Sequence, residues 1–157
     1  NSLKEGGKII FIRHAYAPGN GDPKNFNLED CSTQRNLSQK GIIQSKKIGL
    51  FFTKNKILID QVLSSEWCRC KDTARYAFNN YETFNALNSF YDAKFAKNKT
   101  QQIENLKKYI TSWVSEKNLV LITHFVVISE IIGSASDSGE IIVTNKNLNI
   151  IGSIETN

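Results

Sequence analysis

Apolar positions fall into two patterns along this chain: short unbroken runs, and longer stretches in which they recur every three or four residues. Residues 8–12 (Lys-Ile-Ile-Phe-Ile) and 119–123 (Leu-Val-Leu-Ile-Thr) are runs of the first kind, and they predict strands buried on both faces. Each run stops at a histidine, His14 after Arg13 in the first case and His124 in the second. Residues 60–64 fit a further strand and residues 83–86 a weak one. Residues 141–143 and 148–154, separated by Thr144-Asn145-Lys146-Asn147, suggest a terminal pair of strands in the manner of a hairpin.

The helical pattern comes between these runs. Ser38 can cap a helix running to about Lys54 that turns Ile42, Ile43, Ile48 and Phe51/Phe52 to the core, although Gly41 and Gly49 count against it. Residues 67–78 read as a second helix. Residues 100–116 place Ile103, Leu106, Tyr109, Ile110, Trp113 and Val114 on one side of an amphipathic third. Residues 125–132 form a fourth, stopped by Gly133. Residues 15–36, with Pro18, Gly19, Gly21 and Pro23, read as a loop long enough to be functional or disordered.

Strands alternating with helices predict an α/β fold: a three-layer α/β/α sandwich with a mostly parallel central sheet, in one domain over residues 1–157. Sheets of this kind bind ligands beyond the carboxyl ends of their strands, the edge to which both histidines are assigned. Hydrophobic residues at 40% and charged residues at 22% are ordinary globular usage, and no apolar run reaches the length of a membrane span. The net charge of +5 favours anionic ligands. The basic residues form no tract and no stripe interleaved with aromatics, so nucleic acid is not an expected partner.

The chain has no Met and opens with Asn1, as expected of a processed or trimmed product from which any targeting peptide has gone. Cys31, Cys68 and Cys70 with two histidines match no zinc template. A disulfide from Cys31 to either Cys68 or Cys70, and free buried thiols, are both open on sequence.

The only two histidines each follow an apolar strand, so separate elements can deliver two imidazoles to one pocket. Arg13 beside His14 adds a planar cation that can bind two phosphate oxygens at once and that cannot be buried unpaired. The segment Phe11-Ile12-Arg13-His14-Ala15 resembles the arginine-histidine-glycine signature of the histidine phosphatases and cofactor-dependent phosphoglycerate mutases, with Ala15 in the glycine position. Ser64-Ser65, Arg69 and Thr73-Ala74 resemble the family's second block, and Leu121-Ile122-Thr123-His124 its last.

The resemblance implies a metal-independent and cofactor-free phosphatase. In it His14 attacks phosphorus and is transiently phosphorylated, while Arg13, Arg69 and His124 form the cationic pocket, His124 as a protonated donor. It further implies Asn20 as a phosphate contact and Asp92 as a candidate acid for the leaving group, with Glu140 another if its loop folds over the pocket. Arg35 is a candidate cation at the rim, in Cys31-Ser32-Thr33-Gln34-Arg35-Asn36-Leu37, a segment similar to one in lipopolysaccharide-core heptose-phosphate phosphatases. The length resembles short members of the family, phosphohistidine phosphatases included, whose substrates are phosphorylated small molecules or phosphoproteins. Leader peptides among such members favour an exported protein over a cytoplasmic one. Two other readings stay open: a phosphate-binding or interaction module that has lost turnover, and a phosphoglycerate-type mutase, for which the chain has little sequence to build a cap.

Overall fold

Six strands join in one mixed sheet of order β3-β2-β4-β1-β5-β6, in a computed structural model that describes residues 2–157. The strands are β1 (Ile9–Arg13), β2 (Ile59–Ser64), β3 (Glu82–Thr83), β4 (Asn118–Thr123), β5 (Ile141–Thr144) and β6 (Ile150–Ile154). β1, β2, β3 and β4 run parallel, and β5 and β6 are antiparallel additions at one edge. The terminal hairpin expected from residues 141–154 is the β5/β6 pair. The weak strand at 83–86 shrinks to β3 and a 3-10 turn, Asn85–Leu87.

Helices α1 (Ser2–Glu5), α2 (Gln39–Lys54), α3 (Cys68–Phe78), α4 (Lys99–Ser112) and α5 (Phe125–Ile132) cover the sheet. Alternate residues of each central strand serve opposite faces, as the pleat demands. Ile9, Phe11, Leu119 and Leu121 pack with Leu106 and Ile110 of α4 and Val127 and Ile128 of α5. Ile10, Ile12, Val120 and Ile122 pack with Ile48 and Phe52 of α2 and Cys70 and Ala74 of α3. Strands apolar at every position are therefore what a three-layer sandwich requires.

The glycines that counted against α2 are packing devices. A Cβ on Gly41 would lie 2.1 Å from the Tyr16 carbonyl oxygen, and one on Gly49 would lie 2.1 Å from that of Ala77. α2 thus lies closer to its neighbours than any side chain permits, which outweighs a helix-propensity cost of about 1 kcal/mol per glycine. Ser38 caps it as expected, accepting from the Gly41 amide at 3.3 Å. Two positions depart from the sequence reading. Ile43 is 47% exposed, and α4 stops at Ser112 instead of Glu116, leaving Val114 85% exposed. Trp113 ends the helix in extended backbone, where its indole N–H donates to Asp60 at 2.9 Å.

Candidate functional site

The parallel register aligns Arg13 with Thr123, so the residues that follow them, His14 and His124, leave adjacent strands at the same edge. The His14 amide donates to the Thr123 carbonyl at 3.0 Å, and the two imidazole centroids stand 5.6 Å apart. Both rings are buried. They line a cavity of about 390 Å³ together with Arg13, Arg69, Asn20, Arg35 and Asp92, so of the residues expected from sequence all but Glu140 meet there. A second cavity, of about 500 Å³, lies against β2 and β3 and holds no histidine or arginine.

The two rings are held differently. His14 Nδ1 lies 2.9 Å from the carbonyl oxygen of Ala15, which can only accept, so Nδ1 carries a proton. The Nε2 lone pair then accepts from Arg69 Nε–H at 3.3 Å. Burial foremost, with the Arg69 charge second, pushes the His14 pKa well below its ordinary 6.5. The result is a neutral imidazole with its unprotonated nitrogen turned to a guanidinium. Thr73 fixes the adjoining backbone, accepting from the Ala15 amide at 3.0 Å while its hydroxyl donates to the Arg69 carbonyl at 2.8 Å. Ala15 is fully buried, so the methyl that replaces a glycine hydrogen has a packed place.

His124 precedes α5 and shares its Nε2 with Ser65 Oγ at 2.8 Å. Its Nδ1 is buried with no hydrogen-bond partner. Burial first and Arg69 second again push the pKa well below 6.5, which favours the neutral ring in the ligand-free pocket, while the protonated donor expected from sequence concerns the phosphate-bound one. Ser65 has one proton and two acceptors for it, His124 Nε2 and Asn88 Oδ1 at 3.2 Å. When the proton turns to Nε2, the neutral ring carries its own proton on Nδ1 and can donate there without a net charge.

Arg13 donates to the Ser136 carbonyl at 2.7 Å and lies over the Phe125 ring, while its buried Nε has no partner. Among the described residues, four buried side-chain polar atoms lack partners: Arg13 Nε, His124 Nδ1, Ser136 Oγ and Asn36 Oδ1. Two of them belong to residues lining this one cavity, and an orphaned buried donor costs about 1–3 kcal/mol unless something satisfies it. An oxyanion fits that role. Arg69 is 3% exposed in the first turn of α3, which rules out a solvated surface arginine. Arg35 bonds the Gly21 carbonyl at 2.8 Å and that of Ala17, and its pKa falls to about 10 through burial and the nearby Arg69.

Asp92 stands at the cavity mouth, exposed, and caps a 3-10 turn by accepting from the Lys94 amide at 3.0 Å. Glu140 does not line the cavity; its carboxylate turns back to the Asp137 amide at 2.9 Å. The loop that was expected to be functional or disordered is pinned, because Cys31 forms a disulfide with Cys68, Cα to Cα 5.8 Å, and Cys70 remains a free buried thiol. Closing a loop of this length stabilises a fold by about 4 kcal/mol in the chain-entropy account. Burial raises the Cys70 thiol to about 12, so it stays protonated beside His124.

Sequence reasoning missed Asp22, Ser65 as a histidine partner, and the aromatic wall of Trp67, Phe95 and Phe125. Asp22 had only its loop of turn residues to mark it, and the wall joins residues distant in the chain.

No protein-family model matches the sequence, and a search of curated proteins finds no match. Solved structures do match in shape. The protein histidine phosphatase SixA complexed with tungstate superposes with a TM-score of 0.68 at 14% identity, covering 95% of this chain and 97% of that one. The alpha-ribazole phosphatase from Shigella flexneri gives 0.61 at 16% identity over 87% and 89%. A candidate SixA phosphohistidine phosphatase from Agrobacterium tumefaciens gives 0.64 at 16% identity over 95% and 97%. The chain thus has the phosphoglycerate mutase-like α/β fold of the histidine phosphatase superfamily.

Proposed function

We propose that the chain acts as one phosphatase domain whose substrate is a phosphorylated small molecule or phosphoprotein, and that His14 is its nucleophile. The His14 ring carries this reading: neutral, its proton tied down on Nδ1, its Nε2 lone pair at Arg69 inside an arginine-lined cavity. In the first step Nε2 bonds to phosphorus as the bond to the leaving oxygen or nitrogen breaks, and Asp92 at the cavity mouth protonates that atom. Water then attacks phosphorus, giving up a proton to the Asp92 carboxylate, as the P–N bond breaks and the electron pair returns to Nε2.

Charge on the three equatorial oxygens is met by Arg13, Arg69 and the His124 Nδ1 proton, with Asn20 and Arg35 contacting the phosphate from the loop. His124 in this scheme donates as a neutral ring because Ser65 supplies the proton to its other nitrogen. The disulfide fits an oxidising compartment and so an exported protein.

The test is hydrolysis of an aryl phosphate, with a metal chelator present, by wild type and His14→Ala. Phosphate release and an acid-labile phosphoenzyme, both absent from the variant, are the expected results. Wild type that binds inorganic phosphate yet neither turns over nor takes up label would be a recognition module instead.

A further inference from the structure

Three arginines line the cavity, and one carboxylate sits among them. Asp22 Oδ1 accepts from Arg69 Nη1 at 2.9 Å and from the Arg35 backbone amide at 3.0 Å, and Oδ2 accepts from the Trp67 indole N–H at 3.1 Å. The Asp22 side chain is 13% exposed and that of Arg69 only 4%. An acid group placed inside a pocket that is to receive an anion works against binding, yet this one is held by three separate donors on two elements. Surface chance does not produce such a clamp.

We propose that Asp22 is a built-in counter-anion that positions Arg69 and limits how tightly the pocket holds phosphate. This inference rests on the phosphatase reading above. Two consequences of the Asp22 bonds support it. By engaging Nη1, the carboxylate fixes the guanidinium plane in which Nε–H faces His14 Nε2, so the nucleophile and its cation are set by one residue outside both. By adding one negative charge beside Arg13, Arg35 and Arg69, it brings the arginine cluster from +3 to 3 − 1 = +2, before the Asp92 carboxylate at the cavity mouth is counted. A pocket at +3 would retain the inorganic phosphate it makes.

The test is calorimetric binding of inorganic phosphate to wild type, Asp22→Asn and Asp22→Glu, with aryl phosphate turnover measured alongside. Asn keeps an oxygen for Arg69 and the Arg35 amide but removes the charge. Removing a negative charge that lines the same cavity is expected to tighten phosphate binding about tenfold or more, with the inhibition constant of phosphate falling to match and kcat falling with slower release. Asp22→Glu keeps the charge on a longer arm, so its phosphate affinity should stay nearer to wild type than to Asp22→Asn.

If instead both variants weaken phosphate binding alike, Asp22 is only a strut for the loop and the inference fails while the phosphatase reading stands. Asp22→Ser carries the same expectation as Asp22→Asn should the latter not fold. Wild type that binds no phosphate and turns nothing over would overturn the phosphatase reading, and this inference with it.

Discussion

His14 and His124 arise from the same construction, an apolar parallel strand that ends at an imidazole, and they occupy the same edge of the sheet on neighbouring strands. Their surroundings differ in range. His14 is oriented by the carbonyl of the next residue, so its tautomer is fixed by local backbone. His124 is oriented by Ser65, 59 positions away, whose hydroxyl can face either of two acceptors. A proton locked by local geometry suits a group that must always present a lone pair, whereas a proton shared through a rotatable hydroxyl suits one that donates only when an anion arrives. Under the proposed mechanism, equivalent placement in the chain thus serves two roles, separated by hydrogen bonds alone.

The largest effect expected from breaking this contrast is at His14. His14→Ala should lose at least about 10⁴-fold in kcat and form no phosphoenzyme, because no other side chain can take over bond making to phosphorus. His124→Ala should cost about 10²–10³-fold, the usual loss for one donor to developing charge. It should still take up label from an aryl phosphate, slowly. Rapid-quench labelling with both variants separates the roles, and an unlabelled His124→Ala alongside a labelled His14→Ala would reverse them.

The fold was legible because buried strands write themselves as unbroken apolar runs, whereas the register of β1 on β4 sets Ile9 opposite Leu119, one residue out of step with those runs, and run length does not reveal it. Arg13, Arg69 and the histidines were legible for a related reason: each sits at a strand end or in a helix's first turn, where position along the chain determines position in space. Asp22 and Ser65 were not. Asp22 acts through a loop whose path depends on the disulfide between Cys31 and Cys68, which composition left open, and Ser65 acts across the sheet on a strand distant in sequence. Val114 and Ile43 were misread because a three- and four-residue spacing says which positions share a face, but not where tertiary packing ends the helix or the core.

A smaller effect, shared by both histidines, is their influence on stability with pH. Each is neutral in the folded chain because burial pushes its pKa well below 6.5, whereas in the unfolded chain it titrates near 6.5. Below about pH 6.5 the unfolded state therefore binds more protons, and stability falls with falling pH until the folded values are reached. The slope approaches about 1.4 kcal/mol per pH unit for each ring, hence about 2.7 for both. Urea midpoints between pH 7.5 and about 5 should show this, with His124→Gln removing about half of the histidine slope. Identical slopes for variant and wild type would mean that His124 is already charged when folded. If the cavity binds inorganic phosphate as proposed, and only in the folded chain, phosphate should shift the midpoints upward at every pH.

The smallest and most discriminating change is Ser65→Ala. It leaves both imidazoles and all three cavity arginines in place, but takes away the hydroxyl that His124 Nε2 and the Trp67 amide both use, at 2.8 and 3.1 Å. If the Ser65 proton is what lets a neutral His124 donate from Nδ1, the variant should lose about tenfold in kcat/KM, the scale of one supporting hydrogen bond. Labelling at His14 should remain intact. Nitrogen-15 shifts of the His124 ring supply the second readout: on adding phosphate, wild type should move to the Nδ1–H tautomer, and Ser65→Ala should do so incompletely. A variant with full activity and an unchanged tautomer response would show that His124 chooses its own proton, which would place its role, like that of His14, in the local backbone.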